Sequence, residues 1–196
     1  ETTHERAAAF RLIEAMQKKF HPSDGQNFLL LNVLVDAHQF DMVFLNQSAI
    51  AVIELKEVNG SLIATENGDW TVEEEIIGTN GVNPYEQVRK YRGVFRSRLE
   101  KWVKDGKLNG SDAFSRIKAI VCISPRLELT YADDAITEEH HGNYLIGIDE
   151  LPDLLNTFKD TSMEIGEKGC RKIIQLLGLK VYKGLGGIHL PYSKND

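Results

Sequence analysis

Apolar residues recur at helical spacing along THERAAAFRLIEAMQKKF (3–20), where Ala9, Ile13, Met16 and Phe20 fall on one stripe. PSDG (22–25) is a turn signal that ends this helix. The pattern then changes. FLLLNVLV (28–35), FDMVFLN (40–46) and SAIAVIELK (48–56) are short apolar runs with brief breaks, and they predict three successive strands. GSLIATENGDWTVEE (60–74) predicts a hairpin about Asn67-Gly68. Asn83-Pro84 pairs a capping side chain with a proline suited to the first helical position, which predicts a helix running to about Lys104. RIKAIVCIS (116–124) reads as a buried strand stopped by Pro125, and NYLIGI (143–148) as another. Asp149 is placed to cap a helix ELPDLLNTF, and SMEIGEKGCRKIIQLLGL (162–179) predicts a last helix closing on a glycine. This order implies an α/β fold with a mixed central sheet flanked by helices. With no repeat or linker in sight, one domain over 1–196 is expected.

Charge narrows the function classes. The net charge of −6 gives no attraction of the whole molecule to nucleic acid, so such binding needs a local patch. One is present. Between Pro84 and Lys107 stand Arg89, Lys90, Arg92, Arg96, Arg98, Lys101, Lys104 and Lys107, opposed only by Glu86, Glu100 and Asp105. Arg89, Arg92 and Arg96 are candidates for phosphate contact; a solvated helix face is the alternative. No apolar run approaches the roughly 20 residues of a membrane helix. ETTHERAAAF has neither a signal-peptide pattern nor an initiator Met, which fits a domain excised from a longer chain. Cys122 and Cys170 stand far apart in apolar contexts, as reduced buried thiols of a cytoplasmic protein do.

Candidate chemistry sits at the end of the third strand. Glu54 and Lys56 are two apart and share a face, although the preceding residues read as buried. Buried charges need a partner or a metal. If the second and third strands are hairpin neighbours, Asp41 and Glu54 lie together on one face. Two crowded carboxylates suit Mg²⁺ or Mn²⁺, hard ions that activate water and stabilise charge on a phosphodiester. An E-x-K on a strand is also compatible with a surface charge pair. Gln87 and Tyr91, four apart, share a helix face.

The ordered set Asp41, Glu54, Lys56, Gly60, Trp70 and NPYEQVRKY (83–91) resembles the nuclease-related domain (NERD) of the PD-(D/E)XK nucleases. The likeness is carried by residues 4–105, within a core of about 4–124. It implies a restriction-endonuclease-like fold and a Mg/Mn-dependent deoxyribonuclease. Asp41, Glu54 and the Leu55 carbonyl would hold metal, with Glu5 on the first helix completing the site. Lys56 would position the attacking water. Gln87 and Tyr91 resemble a Q-x-x-x-Y motif of a recombination-type branch, whose amide and phenol line the active site; a tyrosine packed on the sheet beside an incidental glutamine is the alternative. Glu5 extends the apolar stripe, whereas Glu14 lies about 90° away from it; a glutamate favoured by the helix dipole is the other reading of Glu5. Expected partners are DNA, single strands and ends included, and a helicase or other domain in the full-length protein or complex. A catalytically inactive nucleic-acid-binding or assembly module on the same fold is the competing function. His140-His141 reads as an exposed loop pair, and GLGG (184–187) lacks the context of a phosphate loop.

Overall fold

The computed structural model describes residues 3–21, 25–78, 81–109, 114, 116–133, 136, 142–158, 165–182 and 188–193; for 3–6, 181–182 and 191–193 it describes the backbone alone. His140, His141, residues 184–187 and the Glu5 side chain lie outside this description.

Helix α1 (Thr3–Lys19) leads into β1 (Asn27–Val35), β2 (His38–Asn46) and β3 (Ala49–Val58), an antiparallel meander. Short strands β4 (Leu62–Ala64), β5 (Trp70–Val72) and β6 (Glu75–Ile77) follow, then α2 (Pro84–Lys104), β7 (Lys118–Pro125), β8 (Leu129–Ala132) and β9 (Asn143–Gly147). The chain continues through α3 (Leu151–Thr157), α4 (Gly166–Leu176), β10 (Leu179–Tyr182) and β11 (Ile188–Ser193). The central sheet has seven strands in the order β10-β11-β1-β2-β3-β7-β9, and β3-β7, β7-β9 and β1-β11 are parallel. A second sheet has the order β6-β5-β4-β8.

Strand alternation builds two cores, one on each face of the central sheet. Phe28, Leu30, Val43, Leu45, Ile50 and Val52 pack with Tyr85, Val88, Phe95 and Leu99 of α2 and with Cys170 and Ile173 of α4. Leu29, Met42, Phe44, Ala51 and Ile53 pack on the other face with Leu12, Met16 and Phe20 of α1 and with Leu151 and Leu155 of α3. Ala8, Leu12, Ile13, Met16 and Phe20 are the buried stripe of α1, and Glu14 is exposed. No helix among the described residues is long and apolar enough to cross a membrane.

Three local features depart from the sequence pattern. The N-cap of α3 is Glu150, without a side-chain cap, and not Asp149; Asp149 instead bonds Arg11 of α1 at 3.3 Å. Strands β6, β8, β10 and β11 were not expected. The β5–β6 turn is Glu73-Glu74, both in the left-handed region at φ 50° and 71°, where a two-residue hairpin usually has Asn or Gly. Gly60, at φ +125°, turns the chain from β3 towards β4, and a Cβ there would meet Val72 Cγ1 at 3.2 Å.

Asn83 joins the small sheet to α2. Its Oδ1 accepts the Glu86 N–H at 2.8 Å, capping the helix, while its Nδ2 donates to the carbonyls of Gly68 (2.8 Å) and Glu66 (3.2 Å). Asn83→Ala removes the cap and takes the donor from the Gly68 and Glu66 carbonyls, which loosens the hairpin from the helix start. A loss of about 2–3 kcal/mol is expected, measured as a lower urea midpoint at unchanged slope. Trp70, fully buried, donates its indole N–H to the Thr65 carbonyl at 2.7 Å and holds the same hairpin.

Cys122 and Cys170 are free and buried. Burial pushes both thiols from 9.0 up to about 12. A folded-state value above the unfolded one means stability that is present below pH 9 and lost as pH rises towards 12. Native protein at pH 8 should therefore react slowly with a thiol reagent and release both thiols only on denaturation; rapid native labelling would contradict this packing.

Candidate active site at a strand fork

The meander does not alternate regularly. Phe28, Leu30, Val33 and Val35 of β1 all join the α2-side core, so the parity reverses between Leu30 and Val33. Asn32, at φ 50°, makes that reversal. On β2, Phe40 lies in the α2-side core while Met42 lies in the other. Leu31 pairs with Met42 and Val33 with Phe40, so Asn32 stands opposite Asp41 at a matched irregularity.

This kink opens a fork. The β2–β3 ladder ends at Met42↔Ile53, whereas β3 stays paired with β7 to Val58↔Pro125 and β1 with β2 to Val35↔His38. Asp41 sits in the mouth. Its Oδ2 accepts the Leu55 N–H at 2.8 Å, replacing the main-chain acceptor that a continued ladder would have supplied. A strand residue's N–H and C=O point to the same side, so the Leu55 carbonyl faces the same opening. Continuing the Met42↔Ile53 register by one step sets Asp41 opposite Glu54. Glu54 shares the parity of Ile50 and Val52 and so belongs to the face that α2 covers. It is 2% exposed. Its Oε1 lies 2.7 Å from Lys56 Nζ, and the Lys56 side chain is 21% exposed. Glu57 is exposed.

Gln87 and Tyr91 flank the hairpin arm of the fork. Tyr91 packs on Phe40 with ring centroids 4.9 Å apart and meets His38 edge-on at 6.0 Å. Gln87 Nε2 donates to Tyr91 Oη at 3.1 Å, while Gln87 Oε1 is buried and accepts no hydrogen bond among the described residues. At 100° per residue, Arg89, Arg92 and Arg96 occupy the opposite flank of α2. Arg89 lies over the Tyr85 ring at 5.5 Å and 3.4 Å from Glu66 Oε1; Arg96 reaches Glu100 at 3.4 Å. Arg92 is half-buried, and its ionisation is lowered first by desolvation, then by the charge of Arg89. Burial raises Tyr85, against the opposing pull of Arg89. The fold thus sets Asp41 against Leu55 and Glu54 against Lys56 at neighbouring positions of the fork, and it places the arginines on the flank of α2 away from Gln87 and Tyr91. Arg98, which sequence reasoning left as one of eight bases, is an anchor: it pairs with Asp36 in the β1–β2 turn.

The family model of the nuclease-related domain matches residues 2–124. The chain belongs to the NERD family. Its mixed sheet flanked by helices is the nuclease fold of that family. No curated protein and no solved structure matches the chain. Within the NERD region, no group of three or more His, Cys, Asp or Glu stands together among the described residues. Glu5, the third acid expected at the fork, lies in the first turns of α1, and its side chain is outside the description.

Proposed function

We propose that this NERD domain hydrolyses phosphodiester bonds in DNA with Mg²⁺ or Mn²⁺ held by Asp41, Glu54 and the Leu55 carbonyl, and that Glu5 completes the set. The observation that carries the reading is the fork: two carboxylates from adjacent strands stand at facing register positions just beyond the last paired residues, with an ammonium 2.7 Å from one of them. The donors fit such an ion, because all are hard oxygens. A bound divalent ion would supply positive charge that acidifies water and stabilises the phosphate's transition state.

The chain supplies the remaining work. Leu55 N–H fixes the Asp41 rotamer at 2.8 Å. Lys56 orients the attacking water and offsets negative charge as it develops. Gln87, with a buried amide oxygen to offer, and Tyr91, braced on Phe40, position the strand near the scissile bond. Arg89, Arg92 and Arg96 contact phosphates on the outer flank of α2, where Arg89 and Arg96 exchange weak exposed ion pairs for phosphate. Cleavage of plasmid and linear DNA with Mn²⁺, set against EDTA and against Glu54→Ala, tests the reading. Equal turnover in all three conditions would end it.

One observation favours a second reading, a silent binding module. One oxygen of each carboxylate is engaged within the protein, Glu54 Oε1 by Lys56 and Asp41 Oδ2 by Leu55 N–H. Metal-independent DNA binding without cleavage would select it.

A further inference from the structure

We propose that a lysine-lined cleft at the far end of α2 is a second phosphate site, which anchors the backbone of duplex DNA whose other part lies at the fork. This rests on the nuclease reading above and adds to it the path of the substrate.

The cleft, about 340 Å³, lies between the end of α2 and α4 and is lined by Lys107, Leu108, Asn109, Ile165, Lys168, Gly169 and Lys172. Among these described lining residues there are three lysines and no acid. Its walls are firmly held. Lys107 and Leu108 both donate their N–H groups back to the Trp102 carbonyl, at 2.8 and 3.2 Å, and Leu108 is buried. Ile165 and Gly166 donate to the Gln47 carbonyl at 2.9 and 3.2 Å, which fixes the start of α4 against the β2–β3 turn. Gly169 lets the Ile165 side chain lie against the helix, since a Cβ there would meet Ile165 Cγ2 at 2.5 Å. The cations are weakly engaged: Lys107 reaches Asp105 at 3.4 Å and Lys172 reaches Gln175 Oε1 at 3.3 Å. Lys168 is exposed. Such cations exchange present partners for phosphate at little cost.

A track joins cleft and fork. Lys90, Gly93, Ser97, Lys101 and Lys104 recur three or four apart, so they form one stripe on α2, and all are exposed. A Cβ at Gly93 would meet nothing within 4 Å, so a bulky backbone can approach there. From Gln87 to Lys104 the helix rises about 25 Å. Duplex DNA covers that length in about seven or eight base pairs at 3.4 Å each. A duplex much shorter cannot touch fork and cleft together.

The test is fluorescence anisotropy with end-labelled blunt duplexes of graded length, roughly 6 to 24 base pairs, in EDTA to prevent cleavage. Wild type should gain affinity in a step near 8–10 base pairs. Lys107→Gln/Lys168→Gln/Lys172→Gln should lose the step, with affinity for the longest duplex down at least about tenfold and the slope of log affinity against log salt reduced by about 2.7 for three contacts. An unchanged melting temperature shows that the variant is folded; if it is not, the three single substitutions should each lower the slope by about 0.9. A step that survives in the folded triple variant, or a salt slope that none of the three single substitutions lowers, overturns the cleft. Wild type that binds no duplex of any length overturns instead the nuclease reading beneath it.

Discussion

Glu54→Gln is expected to reduce DNA cleavage at least about a thousandfold, with Mn²⁺ affinity falling in parallel, while the protein stays folded. The glutamine keeps the shape of a buried side chain and loses the negative charge that would hold a cation. Asp41 allows a sharper division. Asp41→Asn retains an oxygen that can accept the Leu55 N–H, now held at 2.8 Å, so the fork should persist and only activity should fall. Asp41→Ala leaves that N–H without its acceptor and should cost a further 1–2 kcal/mol or so. Equal inactivity with unequal melting temperatures is the expected result, read by plasmid nicking beside thermal denaturation. Normal turnover in Asp41→Asn or Glu54→Gln would remove the metal site from the fork.

The fork was only half legible in the sequence. Asp41, Glu54 and Lys56 stand out because charges interrupt apolar strands, and Glu54 and Lys56 share a face by simple alternation. What alternation misplaces is the neighbourhood of Asp41. It assigns Phe40 and Met42 to one face, whereas they point into opposite cores. The cause lies on the partner strand, in Asn32 at φ 50°, and no one-dimensional pattern carries that cross-strand constraint. Helix α2 was legible to the residue, since the Asn83 cap and Pro84 are local signals that the tertiary structure uses as they stand. Strand β6 was hidden because its turn, Glu73-Glu74, takes left-handed backbone without the residues that announce it. Strands β10 and β11 were hidden for another reason. Strand β11 joins the sheet by parallel pairing with β1 through Asn27↔Ile188 and Phe28↔His189, residues far apart in sequence, and β10 pairs antiparallel with β11 at the sheet edge. The arginine flank shows a limit of composition: eight bases between Pro84 and Lys107 read as a patch, yet Arg98 is spent on Asp36, and Gln87 and Tyr91 face away from Arg89, Arg92 and Arg96.

Lys56→Ala is expected to abolish most cleavage and, without metal, to destabilise the fold by about 2–3 kcal/mol. Lys56 Nζ lies 2.7 Å from a carboxylate whose side chain is 3% exposed. Removing one partner of a buried pair leaves the other charge in a low dielectric, which costs more than the pair itself contributes. The partial exposure of Lys56 keeps the estimate below that for a fully enclosed pair. A divalent ion at Asp41 and Glu54 would supply the missing positive charge. Saturating Mn²⁺ should therefore raise the melting temperature of Lys56→Ala more than that of wild type, closing much of the gap between them, because binding to the folded state alone stabilises by RT ln(1 + [L]/Kd). Activity should not return with it, since the ammonium also orients the nucleophile. Calorimetric melts with and without Mn²⁺, beside cleavage assays on the same samples, separate the two roles. A Lys56→Ala protein that Mn²⁺ stabilises no more than wild type would make Lys56 a structural partner of Glu54, and one that cleaves at the wild-type rate would leave it outside the chemistry.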